Sequence, residues 1–354
     1  MSQDEPVGNA NAVVRGALTL AALLAAALLV LRLVDVILMA FAAVLVGVLL
    51  NALAGSLQKR VGLGRMTALT LAVVVVAVTL VLMVWGFGSQ AEAQLANLSD
   101  LLPRAWRDLH QRLGGSPAGA LMLRELDGWL GSGRWLVGLG PQMATNVAAS
   151  VAGAVIVVFA GLYLAYHPQS YLAGFLLLFP REARARAAQV MAACDEALRH
   201  WLVGQLFSMA LVGVTTGVGL ALVGVPAPIA LGMIAGVGQF VPVVGPMAAT
   251  IPGLLTALAV GPETFAWAAG VYLVSSQVEA NLITPLMMRQ MAQLPMAVTL
   301  FAVLAMGVLL GPLGVLLATP LAVVLYVFVN MVYVQDVLGE KPPPTPQPRL
   351  KRRG

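Results

Sequence analysis

Eight stretches of this chain are apolar for about the length of a membrane crossing, and that recurrence constrains the fold more than any motif does. They run approximately 16 to 32, 36 to 53, 66 to 87, 144 to 166, 201 to 223, 227 to 260, 264 to 283 and 297 to 334. A hydrocarbon core about 30 Å thick takes roughly 20 residues of helix, each rising about 1.5 Å. In lipid every backbone N–H and C=O must be satisfied within the chain, so an all-α polytopic membrane protein with about eight transmembrane helices is expected. Composition agrees: 60% of the residues are hydrophobic and 10% charged, against about 25% charged in a soluble domain. Disorder, fibrous repeats and disulfide scaffolds are excluded, the last because Cys194 is a single cysteine. The first run reads as an uncleaved anchor and not a signal sequence, since Asp4 and Glu5 precede it and no basic residue comes before Arg15.

Basic residues in short loops collect on the cytoplasmic side. Lys59, Arg60 and Arg65 lie between the second and third runs with no acid nearby, which puts that loop and the N-terminus, 1–15, inside. The first three spans then occupy 16–87, and 88–143 becomes an extracytoplasmic helical segment. The fourth span, 144–166, returns to a cytoplasmic amphipathic segment, 167–200. A C-terminal core, 201–338, precedes a basic, Pro-rich tail, 339–354. The net charge of +5 equals the charge of that tail's Lys341, Arg349, Lys351, Arg352 and Arg353. A basic cluster just beyond the last span fits a cytoplasmic end facing anionic lipid, and no nucleic-acid partner is expected.

Two amphipathic helices are expected outside the bilayer. Leu95, Leu98, Leu102, Ala105 and Leu109 follow a three-four spacing that packs helix on helix, against the chain's own membrane domain or against another subunit. Val190, Met191, Cys194, Ala197, Leu198 and Trp201 form an apolar stripe opposite Arg184, Arg186, Asp195, Glu196 and Arg199. That pattern predicts an interfacial helix running into the fifth span.

Between Trp201 and Gln335 the charged side chains are Glu263, Glu279 and Arg289. Glu263 sits beside Gly261 and Pro262, and Arg289 lies between Pro285 and Pro295, so loops explain both. Glu279 lies inside an apolar span, where a charge costs at least about 2.5–3.5 kcal/mol. With Gln277 and Asn281 it forms either an interfacial helix end or part of a substrate or ion path, to which the buried-span residues Gln205 and Gln239 are assigned as well.

The two longest runs are interrupted. One contains Pro242, Gly245, Pro246 and Pro252, the other Gly311, Pro312, Gly314 and Pro320, while Pro285 ends the span between them. Proline removes a backbone donor and clashes with the preceding turn, so these positions predict unwound backbone, which a membrane tolerates where it is buried in protein or lines a cavity. Paired interrupted segments point to a transporter's binding site, with kinked structural helices as the alternative.

Five stretches in this half resemble one family: Gly204-Gln205; Leu222-Val223-Gly224-Val225-Pro226; Phe240-Val241-Pro242-Val243-Val244-Gly245-Pro246; Glu279-Ala280-Asn281-Leu282-Ile283-Thr284-Pro285; and Gly311-Pro312-Leu313-Gly314, continuing to Thr319-Pro320-Leu321. In order and spacing they resemble the AI-2E family of autoinducer-2 exporter-like permeases, over roughly 15 to 338. The resemblance implies a bacterial inner-membrane protein, homo-oligomeric, that exports autoinducer-2 or exchanges sodium for protons. A glycine expected near Arg289 is missing from Leu286-Met287-Met288.

Enzyme chemistry is not legible. The chain has no His-Glu-x-x-His, no Gly-x-Ser-x-Gly and no Walker A sequence, and His110, His167 and His200 lie far apart. No metal site, no cofactor and no catalytic residue is expected; the partners expected are the lipid bilayer and a small polar solute, monovalent cation or proton. Transport without ATP runs downhill or on an ion gradient.

Overall fold

The computed structural model describes residues 7–79, 153–288 and 296–340, with positions 81, 82, 111, 114, 115 and 121. The 95–109 heptad pattern, Arg289 and the basic tail from 341 lie outside the described residues. Among the described residues every regular element is a helix, and three helices are long and apolar enough to cross a membrane: Arg32–Val61, Arg184–Leu222 and Ala297–Val337.

The first helix departs from expectation. α1, Val7–Val61, is one unbroken helix of 55 residues, about 80 Å long, so the runs 16 to 32 and 36 to 53 are not an antiparallel pair. Arg32-Leu33-Val34-Asp35 contains neither Gly nor Pro, and nothing there stops a helix. The count of eight separate crossings loses one reversal here. α1 packs with α2, Arg65–Thr79, and α3, Gly153–Tyr166. Leu50, Ala54, Ala68, Leu69, Ala72 and Ala165 form their core, and Thr70 and Tyr166 share a hydroxyl hydrogen bond of 3.2 Å. Short α4, Pro168–Leu176, follows.

The C-terminal core is built on α5, Arg184–Leu222, 39 residues long. Its first turns follow the predicted stripe: Val190, Leu198 and Trp201 are buried while Asp195 and Glu196 are exposed. It ends at Gly224, with φ +72°, where Val225 N–H donates to Leu220 O at 3.0 Å and Gly224 N–H to Ala221 O at 3.2 Å. Those two bonds close the helix in a Schellman motif, with Val225 packed into the core cluster that holds Leu220.

The run 227 to 260 is not one crossing. It folds as α6, Pro228–Gly238, and α7, Val244–Val260, helices of 11 and 17 residues joined by a tight turn. A side-chain carbon on Gly245 would run into Gly238 O, so the two helices touch directly after the turn. Leu231 and Ala235 share one cluster with Ala249 and Ala257, and the pair forms a hairpin. α6 seats on α5 through four glycines. Gly213 and Gly217 of α5 face Gly232 and Gly236 of α6, a small-xxx-small seam that brings backbones together.

α8, Pro262–Met288, runs antiparallel to α5: Ser208 meets Glu279, and Gly219 meets Val271. α9, Met296–Phe328, reverses at Gly311, whose φ of 66° and ψ of −153° are not helical. In a straight helix residues eight apart stand about 12 Å from each other, yet Gly314 is pressed on Met306 O, and a carbon on Gly307 would stand 2.9 Å from Val315 Cγ2. Ala297–Val337 is therefore long enough by composition but is a second hairpin, and the geometry decides.

The breaks sit at fewer residues than the sequence indicates. Pro242 lies in the first turn, and Gly311 is the second; Gly245 and Pro246 already belong to the first turn of α7, and Pro312 and Gly314 to the second half of α9. Pro252, Pro285 and Pro320 are carried inside helices. Thr250 and Thr256 satisfy their own hydroxyls within the bundle by donating back to Pro246 O at 2.8 Å and Pro252 O at 2.7 Å.

Beyond Phe328 the chain widens into a π-type winding, Val329–Val337. Arg186 grips it: Nε and Nη2 donate to the Asp336 carboxylate at 2.9 and 2.8 Å, and Nη2 also to Met331 O at 2.9 Å. The start of α5 and the end of the core thus lie against one another.

Candidate functional site

The first hairpin delivers its turn to the α5–α8 interface. Gln239, the residue after α6, is buried, and its side-chain Nε2 donates to Glu279 Oε1 in a short contact. Gln205 of α5 donates its Nε2 to the backbone carbonyl of Gln239 at 2.6 Å, which fixes the turn. Ser208, one turn further along α5, donates to Glu279 Oε1 at 3.4 Å. Three elements therefore converge on one carboxylate. Phe240, next in the turn, stacks edge-on against Trp201 with ring centroids 5.7 Å apart. Leu310, beside the second break, packs on the same cluster, so both breaks adjoin one core.

The turn is strained. Val243 has φ 68° and ψ −59°, and Val244 N–H donates to Pro242 O at 2.8 Å, which makes a γ-turn of the rarer hand on a β-branched residue. Ala227, at the other end of α6, also has a positive φ, 58°. Such residues persist where the surrounding packing over-determines them, and they cluster at working sites.

Of the five path residues expected from sequence, Glu279, Gln239 and Gln205 are brought together. Gln277 and Asn281 are exposed, each two positions from Glu279 and so about 200° around the helix from it. Ser208 joins the site without having been anticipated. Its signal was present: Gln205, Ser208 and Thr216 recur at helical spacing within an apolar span, opposite Tyr272, Ser275 and Glu279.

Chemically the site is a half-buried carboxylate among neutral donors. Among the described residues no basic side chain pairs with Glu279, and no group of three His, Cys, Asp or Glu has metal-ligand proximity. Gln239 suits both states of the acid. Its Nε2 donates to the carboxylate, while its Oε1, which has no partner, can accept from a protonated carboxyl once the amide turns over.

Comparison with known proteins matches residues 18–333 to the model of the AI-2E family transporter. The chain is 29% identical over 150 residues to the "Putative transport protein YrrI" of Bacillus subtilis (strain 168), covering 42% of each chain. It is 32% identical over 205 residues to the "Putative transport protein MT0215" of Mycobacterium tuberculosis (strain CDC 1551 / Oshkosh), covering 56% of this chain and 53% of that one. For "Putative transport protein YueF" of Bacillus subtilis the identity is 26% over 204 residues, 54% of both chains. The alignments span about half the length of these relatives or less.

Proposed function

The chain belongs to the AI-2E family of transporters, and from that premise we propose that it is a permease exporting a small polar molecule such as autoinducer-2 without ATP hydrolysis. Glu279, Gln239, Ser208 and Gln205 form its substrate or coupling site. The observation that carries this reading is the hairpin turn held against an unpaired carboxylate inside an apolar bundle. Irregular backbone within an apolar bundle is tolerated where it is buried in protein or lines a cavity, and half-helix ends there can supply N–H and C=O groups to a solute. A carboxylate with no basic partner also needs a proton or a cation as companion. That need favours a second reading, a sodium or other monovalent cation/proton antiporter. Both readings share a bacterial cytoplasmic membrane location, with 54–65, 167–200 and the tail inside, and a homo-oligomer. A non-transporting scaffold is the reading opposed to both.

Reconstitution into proteoliposomes separates the three. Efflux of labelled autoinducer-2 supports export, sodium-dependent proton movement supports antiport, and neither supports a scaffold. In Glu279→Gln, which keeps shape and removes charge, coupled transport is expected to be lost or to become independent of pH. Wild-type flux with unchanged pH dependence in that variant would rule the site out.

A further inference from the structure

Thirteen residues, 168–180, pass between His167 and Arg181 without a charge. They make up α4 and the turn after it, and from Tyr171 onwards they read Tyr-Leu-Ala-Gly-Phe-Leu-Leu-Leu-Phe-Pro. As helix such a run reaches about 20 Å, short of a hydrocarbon core about 30 Å thick, so it does not cross. An uncharged run of this length inside a chain is either a buried core helix or a segment lying in the membrane interface. The core is excluded, because no residue of α4 is buried. Tyr171, Leu172 and Phe175 are exposed, and in the turn Leu177 is 67% and Leu178 77% exposed.

Water does not suit this segment either. A helix at a protein surface keeps a polar face, and beyond Gln169 and Ser170 this one has none. Its backbone is arranged for an apolar solvent. Leu177, Leu178 and Phe179 N–H donate back to Gly174 O, Phe175 O and Leu176 O at 3.2, 3.1 and 3.2 Å, and Pro180 has no N–H. From the next helix Arg184 Nε donates to Phe179 O at 3.1 Å and so caps the turn. Phe175 and Phe179 pack ring against ring, centroids 5.6 Å apart. Lipid penalises an unpaired N–H, and those at the tip of this turn are paired. Both ends of the run meet basic residues. Tyr166, two positions before α4, shares a cluster with Leu57 and Leu63, which flank Lys59 and Arg60 and precede Arg65. α4 itself rests on α5, which begins at Arg184. Lys59, Arg60, Arg65 and Arg181 are exposed, and the acid within 54–65 and 167–184 is Glu182.

We propose that 168–180 is a monotopic anchor, which inserts Tyr171, Leu172, Phe175, Leu177 and Leu178 into the acyl chains of the leaflet bordering the 54–65 loop. Around it Lys59, Arg60, Arg65 and Arg181 hold anionic lipid headgroups. Apolar side chains below and basic ones at the rim are the two attractions that keep an interfacial helix in place, burial of area and the field of an anionic surface. A second copy of the chain fits this face less well, because it brings the same excess of positive charge, whereas anionic lipid neutralises it. The Arg184 contact ties the anchor to the first turn of α5. The anchor is independent of the role given to Glu279.

Spin labels on the full-length protein in nanodiscs of phosphatidylethanolamine and phosphatidylglycerol test the anchor. Each label goes on one cysteine, from Phe175→Cys, Leu177→Cys, Leu178→Cys or Glu182→Cys, all at exposed positions, after Cys194→Ser. Relative to a water-soluble nickel chelate, oxygen is expected to reach the labels at 175, 177 and 178 several-fold more often than the label at 182. The same three labels should lie about 5–10 Å below the phosphates. Exchange of phosphatidylglycerol for phosphatidylcholine should bring the 178 label closer to the surface. Nickel access at 178 equal to that at 182 places the segment in water and overturns the anchor. Exclusion of both reagents, with dipolar broadening between labels, places a second copy on this face and overturns it as well. An unchanged depth of the 178 label on lipid exchange overturns the assignment of anionic headgroups to the basic rim.

Discussion

Replacing glycines one at a time along the α5–α6 seam should cost most on the α6 side and least at Gly217. A carbon on Gly232 would stand 2.6 Å from Gly213 O, 2.7 Å from Gly217 Cα and 2.9 Å from Gly217 N, all backbone atoms that cannot swing aside. Ordinary contacts begin near 3.4 Å, so α6 has to retreat by several tenths of an ångström. Overpacking of this kind costs about 1–3 kcal/mol, and alanine's better helix propensity returns about 0.8–1.0 kcal/mol. Gly232→Ala is therefore expected to lose up to about 2 kcal/mol. Gly236→Ala, at 2.7 Å from Met209 O and 3.1 Å from Gly213 Cα, should follow it. At Gly217 the nearest atom is 3.4 Å away, so Gly217→Ala keeps the propensity gain and is neutral or slightly stabilising. Heating in detergent with a thiol-reactive fluorophore reports unfolding through half-buried Cys194. A Gly232→Ala midpoint at or above wild type, or Gly217→Ala as the more damaging change, would refute the seam.

Val243→Gly removes a β-branched residue from positive φ, where strain of about 1–3 kcal/mol outweighs the entropy of added glycine, and should raise the same midpoint. Gly311→Ala forces a side chain into a φ of 66° and ψ of −153°, a region kept almost to glycine, and should lower it by about 1–3 kcal/mol; an unchanged midpoint argues against the reversal. Asp336→Asn should cost under about 1 kcal/mol because the pair is part-exposed, while hydrogen exchange over 329–340 quickens as the clamp opens. Single cysteines introduced at 60 and at 336, after replacement of Cys194, should label from the same side of the membrane. Labelling from opposite sides would break the expected topology.

Sequence alone determined the class, because an apolar run of crossing length has no soluble alternative and its backbone leaves only helix. It also marked both breaks to within a few residues, since Pro242 and Gly311 act through local backbone chemistry, and it singled out Glu279 by the cost of its charge. Even the separation of Gln277 and Asn281 from Glu279 was latent in the helical repeat. What the sequence could not decide is non-local. Apolar runs 16 to 32 and 36 to 53 read alike as two crossings or as one helix, and only the unbroken α1 chooses. A break can kink a span or reverse it, and the outcome rests on whether the following segment finds a partner, as Gly245 does on Gly238 and Gly314 on Met306. The site depends on the same kind of contact. Gln205, Gln239 and Glu279 lie 34 and 40 residues apart, and they meet because four glycines let α6 approach α5 closely enough to set the turn against α8.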